Sequence, residues 1–317
     1  MQQVSVIMSI YKEPFDWISE AIDSILNQTY KNFEFIIVND NPENDRLNLF
    51  LKEYLSKDER IRLIKNIQNQ GLTKSLNVAF KEAKGKYIVR MDADDISVPE
   101  RLAVQYEYLE SHPNVDVLGS KVKYIGITSK YKQSDDIKLS DEEIKAYFLL
   151  GNCIVHPSVM IRKECLDKNN IFYDENYRHS QDYRLWEQLK GYANFKNLNK
   201  ILLHYRISEQ QITKVNSTSQ GNLSMSIRLR IQKDWLVKNG YDVSVEEIDR
   251  MPFQILKKIK CDSRINQTLE FKAFIQYIYI YHKDGFRHLL SFLLGDFRYF
   301  SYYNVARYLR KIVNSIK

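Results

Sequence analysis

Three aspartates within four positions, Asp92, Asp94 and Asp95, close an apolar segment that reads KYIVRMDADD over residues 86–95. Carboxylates crowded in this way repel one another and are stabilised by a cation. Aspartate oxygens are hard ligands suited to Mg²⁺ or Mn²⁺, ions that commonly keep coordination positions open for the oxygens of a diphosphate. The pattern therefore predicts a metal-bound nucleoside diphosphate. By itself Asp-x-Asp is a weak signal, since a solvated acidic turn has the same composition, and its value depends on where the chain places it.

The flanking residues supply that placement. VSVIMSI (4–10), FEFIIVND (33–40), RIRLIKN (60–66) and KYIVRMD (86–92) are short apolar runs rich in β-branched residues, and they read as four strands. Between the first two, FDWISEAIDSILNQ (15–28) has helical periodicity, with Trp17/Ile18, Ala21/Ile22 and Ile25/Leu26 on one face. A second helix is expected around LNLFLKEYLS, and a third within NQGLTKSLNVAFKEAKG (69–85), ending at Gly85. Strands alternating with helices at this spacing predict an α/β fold with a mostly parallel sheet covered on both faces. Ligands bind such sheets outside the carboxyl ends of the strands. Asp40 ends the second strand and Asp92, Asp94 and Asp95 end the fourth, so two strands deliver acids to one edge. The turn after the first strand reads SIYKEPF and has no glycine, which disfavours a dinucleotide-binding enzyme.

The 317 residues are 44% hydrophobic and 27% charged, enough for a large α/β domain with an appendage. Cys153, Cys165 and Cys261 are odd in number and widely spaced, which argues against a disulfide framework or a zinc knuckle and for a reducing, cytoplasmic setting. The first residues lack the features of a signal peptide, and no apolar run reaches the length of a membrane span. Of the net charge of +7, the excess lies beyond residue 215: 17 Lys+Arg stand against 9 Asp+Glu there, and 30 against 31 before it.

The runs YKEPFDWISEAIDSILNQTYKNFEFIIVND and NQGLTKSLNVAFKEAKGKYIVRMDADDISVPERL closely resemble the nucleotide-sugar-binding half of glycosyltransferase family 2, inverting enzymes with the GT-A fold, of the kind that build bacterial capsule and surface polysaccharides. The resemblance is near-continuous from about residue 3 to 120. It implies that Tyr11 and Glu13 border the base and ribose, that Asp40 accepts from a base N–H, and that Asn69, Gly71 and Lys74 meet the diphosphate. It also implies that Asp92 holds the ribose or the ion's shell, and that Asp94, with Asp95, holds the metal. The family usually shows a Gly-Ser pair after the position of Asp40; this chain has NDNPENDR instead.

An inverting transfer is a single in-line displacement that needs one base on the acceptor side. In ENYRHSQDYRLWEQLKGYANF (175–195), Asp182 matches the family's base at the opening of a helix, and Gln181 departs from the common Glu. A plain first-turn helix acid is the competing reading. CIVHPSVMIRKE (153–164) and LHYRISEQQIT (203–213) also resemble family elements. They nominate His156 near the metal or acceptor and Arg206 as a guanidinium that offsets charge on the leaving diphosphate.

Residues 1–215 are thus expected to form the catalytic domain, with a nucleotide-sugar half (1–120) and an acceptor half (121–215), followed by a helical, basic and aromatic extension (216–317). Its last segment, FRHLLSFLLGDFRYFSYYNVARYLRKIVNSIK, suits either an anionic membrane surface, as a peripheral contact on the inner face of the cell membrane, or packing on the protein or a second copy in a homo-oligomer. No nucleic-acid-binding motif accompanies the basic charge. The expected activity is transfer of a sugar from a UDP-sugar to a glycan or lipid-linked acceptor, with Mn²⁺ or Mg²⁺ as cofactor. The alternatives are a sugar nucleotidylyltransferase and a non-catalytic nucleotide-sugar-binding protein docked on membranes.

Overall fold

A computed structural model describes residues 3–126, 137–208, 217–260 and 262–282. The chain divides into two compact units, one formed by residues 1–140 and 154–223 and the other by 141–153 and 224–317.

The first unit is built on eight strands: β1 (Val4–Ile10), β2 (Phe33–Asn39), β3 (Ile61–Lys65), β4 (Tyr87–Arg90), β5 (Ile96–Ser97), β6 (Val117–Gly126), β7 (Met160–Arg162) and β8 (Phe195–Ile207). They form one sheet in the order β3-β2-β1-β4-β7-β6-β8-β5. The four strands read from the sequence are parallel to one another, with β1 between β2 and β4. Beyond β4 the sheet becomes mixed: β7 runs antiparallel to β4 and β6, whereas β6 and β8 are parallel. The architecture is therefore a parallel α/β half continued by a mixed half.

Helices α1 (Phe15–Leu26), α2 (Asp45–Lys57), α3 (Leu72–Glu82), α4 (Arg101–Ser111), α6 (Lys163–Asn169) and α7 (Gln181–Leu189) accompany the sheet. The apolar face of α1 buries Ile18, Ala21, Ile22 and Ile25 in a cluster with Val6, Met8, Phe35, Ile37, Tyr87 and Val89 from the central strands and Leu102 and Leu109 from α4. Burying each such aliphatic side chain contributes about 1.5–3 kcal/mol. Strand alternation turns Ile7, Ile36 and Ile88 to the opposite face, where α3 buries Leu76, Ala79 and Phe80.

The third helix ends at Glu82, with Ala83 as its C-cap, and so stops short of Gly85. Gly85 has a different task. A Cβ there would stand 2.6 Å from the Ser5 backbone nitrogen and 2.7 Å from the Val4 carbonyl carbon, so only glycine permits this approach to β1.

The second unit contains α5 (Asp141–Tyr147), the greater part of α8 (Ser217–Lys238), α9 (Val245–Arg250), α10 (Pro252–Ile259) and α11 (Leu269–Tyr281). Of these, α8 to α11 fall in the stretch beyond residue 215 where a helical extension is expected, whereas α5 lies outside it. Ser244 caps α9 in a reciprocal arrangement, accepting from Glu247 N–H while the Glu247 carboxylate accepts from Ser244 N–H. Among the described residues no helix is long and apolar enough to cross a membrane. The basic aromatic segment 286–317 lies outside the described residues.

Replacing Gly85 by Ala is expected to cost about 2 kcal/mol through overpacking against the β1 backbone, which cannot move aside as a flexible side chain would. A thermal melt should show a midpoint lowered by several degrees.

Candidate active site

The parallel strands β2, β1 and β4 lie side by side, so their following loops meet at one edge of the sheet. The ladder continues one step into these loops: Asp40 N–H donates to the Ile10 carbonyl and Met91 N–H to the Ile7 carbonyl. Asn41 Nδ2 donates to the Tyr11 carbonyl at 2.9 Å, which ties the loop after β1 to the loop after β2.

Asp40, 1% exposed, organises the loop from β3 to α3. Its Oδ1 accepts from Asn66 Nδ2 (2.7 Å) and Gln70 N–H (2.8 Å), and its Oδ2 from Asn69 Nδ2 (3.0 Å) and Gly71 N–H (2.8 Å). These four donors fill the usual acceptor directions of a carboxylate. A base N–H would have to replace one of them, and Asn69 makes the longest bond of the four from an exposed side chain. Gly71 caps α3 with φ +84°, a conformation that side-chain-bearing residues rarely adopt. Lys74, exposed on the first turn of α3, lies 4.0 Å from Glu175.

Across from this loop stand the acids after β4. Asp92, Asp94 and Asp95 each offer a carboxylate oxygen, and these oxygens lie within 4.8 Å of one another. Asp92 is ion-paired with Arg90. Asp95 is 1% exposed; its Oδ1 accepts from Arg206 N–H at 2.8 Å, while its buried Oδ2 has no hydrogen-bond partner among the described residues. Half-buried Glu13, whose carboxylate accepts from Tyr11 N–H at 2.8 Å, adds a fourth negative group to the surroundings of Asp94.

Burial, followed by the charges of Asp92 and Glu13, pushes the Asp94 carboxyl up to about 7. Burial and the same crowding raise Asp95 well above the ordinary carboxylate range, and Glu13 is raised by burial with a contribution from Asp92. Hard oxygen donors, mutual repulsion and an unpartnered buried carboxylate oxygen together fit a divalent cation.

Arg206 lies on the same side of the sheet and is engaged by the chain. Its Nε donates to the Asp94 carbonyl at 2.7 Å, its guanidinium pairs with Glu20, and it lies 4.9 Å from the centre of the Trp17 ring. Together with its N–H bond to Asp95, these contacts make Arg206 a strut that fixes the acidic loop against β8 and α1. The sequence offers no signal for Glu20 or Trp17 in that role beyond their helical spacing.

The acceptor-side carboxylate is carried by α7. Ser180, its N-cap, takes the left-handed conformation at φ +58°, and Asp182 occupies the first turn. Asp182 Oδ1 accepts from Tyr183 N–H at 2.8 Å. Burial raises its pKa, against the lowering effect of that bond and of the Arg90 charge. The segment leading to α7 is held by α3: Asn77 exchanges hydrogen bonds with the Tyr173 backbone at 2.9 and 3.1 Å, and Thr73 Oγ1 donates to the Tyr177 carbonyl at 2.9 Å. Thus α3 opens at the loop anchored by Asp40 and also braces the approach to Asp182.

His156 is not brought into the acidic group. It is buried, its Nε2 is 2.7 Å from the Tyr173 hydroxyl, and its ring packs edge-on against Trp186. Burial and the Arg90 charge hold its pKa well below the ordinary value, so the ring is neutral. Its geometry is that of a hydrogen-bonded structural residue between Tyr173 and α7.

With this geometry in view, comparison with known proteins identifies the relatives of the chain. The family model described as Glycosyl transferase family 2 matches residues 5–169. An uncharacterized glycosyltransferase of Methanocaldococcus jannaschii is 43% identical over 208 residues, covering 64% of this chain and 70% of that protein. The O-antigen biosynthesis glycosyltransferase WbnJ of Escherichia coli is 30% identical over 238 residues, covering 74% of this chain and 91% of that protein. The fold is similar to that of S. aureus TarS residues 1–349 in complex with UDP-GlcNAc, with a TM-score of 0.61 and 20% identity over 87% of this chain and 79% of that one. The chain spans 49% of the longer TarS chain.

A carboxyl titrating near 7 must lose its proton before it can ligate a cation. Mn²⁺ affinity, followed by electron paramagnetic resonance of the free ion, is therefore expected to fall about fivefold between pH 7 and pH 6. A constant affinity across that interval would show that Asp94 does not bind the ion.

Proposed function

The chain belongs to glycosyltransferase family 2, and from that premise we propose that it moves a sugar, with inversion, from a UDP-sugar to a hydroxyl of a surface-polysaccharide glycan or its lipid-linked precursor. The observation that carries this reading is the convergence of Asp92, Asp94 and Asp95 with the Asp40-anchored loop at one strand edge, with the approach to Asp182 braced by the α3 that opens at that loop. The UDP-GlcNAc named for the TarS structure supports a nucleotide-sugar donor, and the name of WbnJ supports a polysaccharide acceptor.

On this reading Tyr11, Glu13 and the Asp40–Asn69 pair border the nucleoside. The 66–71 loop, the start of α3 and Lys74 face the diphosphate, and Asp92 meets the ribose. Asp94 and Asp95 hold Mn²⁺ or Mg²⁺, which when bound neutralises diphosphate charge. The acceptor oxygen attacks the anomeric carbon, the bond from that carbon to the diphosphate oxygen breaks, and the hydroxyl proton passes to the Asp182 carboxylate. A base raised by burial is better matched to a hydroxyl than an ordinary aspartate is.

Arg206 acts through the acidic loop it braces, and its positive charge also lies beside the diphosphate region. Attachment to an anionic membrane surface from the cytoplasmic side, through the basic segment beyond residue 282, and self-association belong to the same proposal and rest on the sequence. So does the division into a catalytic domain ending near 215 and a helical extension.

The test is incubation with Mn²⁺ and a panel of UDP- and dTDP-sugars with oligosaccharide acceptors, read by product mass. Wild type is expected to release nucleoside diphosphate and form a glycoside. Asp182→Asn should lower kcat by 10³-fold or more, on the order expected for loss of a general base together with the charge it carries, with nucleotide affinity retained. Full activity in Asp182→Asn would remove the assigned base, and pyrophosphate release from UTP and a sugar phosphate would favour nucleotidyl transfer instead.

A further inference from the structure

Asp182 sits in the first turn of α7, where a helix has the fewest bonds of its own to hold it. Ser180, the N-cap, makes no side-chain capping bond, and its left-handed backbone turns the chain sharply into the helix. The apolar residues Tyr183, Leu185, Trp186 and Leu189 bury one face of α7, but apolar burial is non-directional and leaves the placement of a polar first turn to hydrogen bonds. The position of the carboxylate therefore depends on the segment that enters α7 and on what holds that segment.

Residues 173–177 are held from two sides. On the α3 side, Asn77, 5% exposed, exchanges its bonds with the Tyr173 backbone, and its Nδ2 also donates to Glu175 Oε1 at 3.1 Å. Thr73, one turn earlier on α3, holds the other end through the Tyr177 carbonyl. Between them the chain turns on Asp174: Tyr177 N–H donates to the Asp174 carbonyl at 2.9 Å, and Asp174 Oδ1 accepts from the Asn176 N–H and Nδ2 at 3.1 and 3.0 Å.

On the α7 side, Asp174 Oδ2 accepts from Arg184 Nε at 3.1 Å, and the Arg184 guanidinium lies 5.5 Å from the centre of the Tyr177 ring. Arg184 follows Asp182 by two residues, and its N–H donates to the Ser180 carbonyl at 3.0 Å, so its backbone closes the turn that carries Asp182. The Tyr173 hydroxyl reaches His156, whose ring packs on Trp186 of the same helix. The segment is thus bolted to the helix of the base at one side. At the other it is bolted to α3, whose first residues follow Gly71 and its bond to Asp40.

We propose that residues 173–177 act as a strap that sets the general base relative to the donor loop, and that Asn77 and Arg184, its anchors on α3 and α7, are positioning residues acting through Asp182. This rests on the reading of the chain as a glycosyltransferase with Asp182 as base. A loosened strap leaves the donor loop and the carboxylate intact but lets the base move away from the acceptor hydroxyl. Proton transfer needs the two oxygens about 3 Å apart, so a displacement of about 1 Å lowers the rate steeply.

The experiment measures kcat and UDP affinity for wild type, Arg184→Met, Asn77→Ala, Asp182→Asn and the double variant Arg184→Met with Asp182→Asn, using the donor identified in the nucleotide-sugar panel. Thermal melting and circular dichroism report folding. Arg184→Met and Asn77→Ala are each expected to lower kcat about tenfold while UDP affinity stays within about twofold of wild type. In the Asp182→Asn background, Arg184→Met should change the residual rate by no more than about twofold, because no base is left to position. Should Asn77→Ala fail to fold, Arg184→Met decides alone, since its partly exposed site leaves Asp174 open to water. A folded variant with wild-type kcat would overturn the inference. So would equal losses with and without the Asp182 carboxylate, or UDP affinity falling as far as kcat, either of which marks general loosening. Full activity in Asp182→Asn, or wild type that turns over no donor, would instead overturn the underlying reading and the inference with it.

Discussion

The site is organised by a conflict between charge and burial. Glu13, Asp92, Asp94 and Asp95 crowd one partly desolvated edge of the sheet, and burial leads the causes that raise Glu13, Asp94 and Asp95 towards their neutral forms. Such crowding is costly to folding, and the surrounding structure is arranged to bear it. Gly85 lets the chain entering β4 pass close to β1, Arg206 clamps the acidic loop from β8, and Arg90 supplies a buried cation from within β4. A divalent cation would relieve the same repulsion, which is why the arrangement suits the metal-bound diphosphate of the proposed function.

Asp40 shows the opposite treatment of a carboxylate. It is as buried as Asp95, yet four donors from residues 66–71 surround it. One acid is saturated and gives the loop its shape; the other keeps an oxygen without a partner among the described residues. The two environments, after β2 and after β4 on either side of β1, give residues of the same type different tasks: Asp40 shapes a loop, and Asp95 is the one proposed as a ligand. The αL serine before α7 and the hydrogen bonds from Asn77 and Thr73 extend this order to Asp182.

Much of this was legible in the sequence, because the parallel half of the sheet obeys simple periodicities. Apolar β-branched runs gave β1 to β4, the 3.6-residue stripe gave α1, and acids at two strand ends gave the edge. Less legible was whatever depends on distant pairing. Nothing local marks β7, three residues long, as the strand beside β4, or β5, two residues long, as the partner of β8. Gly85 reads as a helix stop because glycine favours both roles, and only the approach to β1 tells them apart. His156, a lone histidine beside a strand, reads more readily as a hydrogen-bonded core residue than as a ligand, and the Tyr173 hydroxyl 2.7 Å away agrees with the former.

The most direct test of the central claim is an anomalous difference map from crystals grown with UDP and Mn²⁺. The account predicts a single strong peak between the carboxylates of Asp94 and Asp95 and the UDP diphosphate, with the Asp92–Arg90 pair intact beside it. UDP bound at this edge with no anomalous peak at the acids would contradict it.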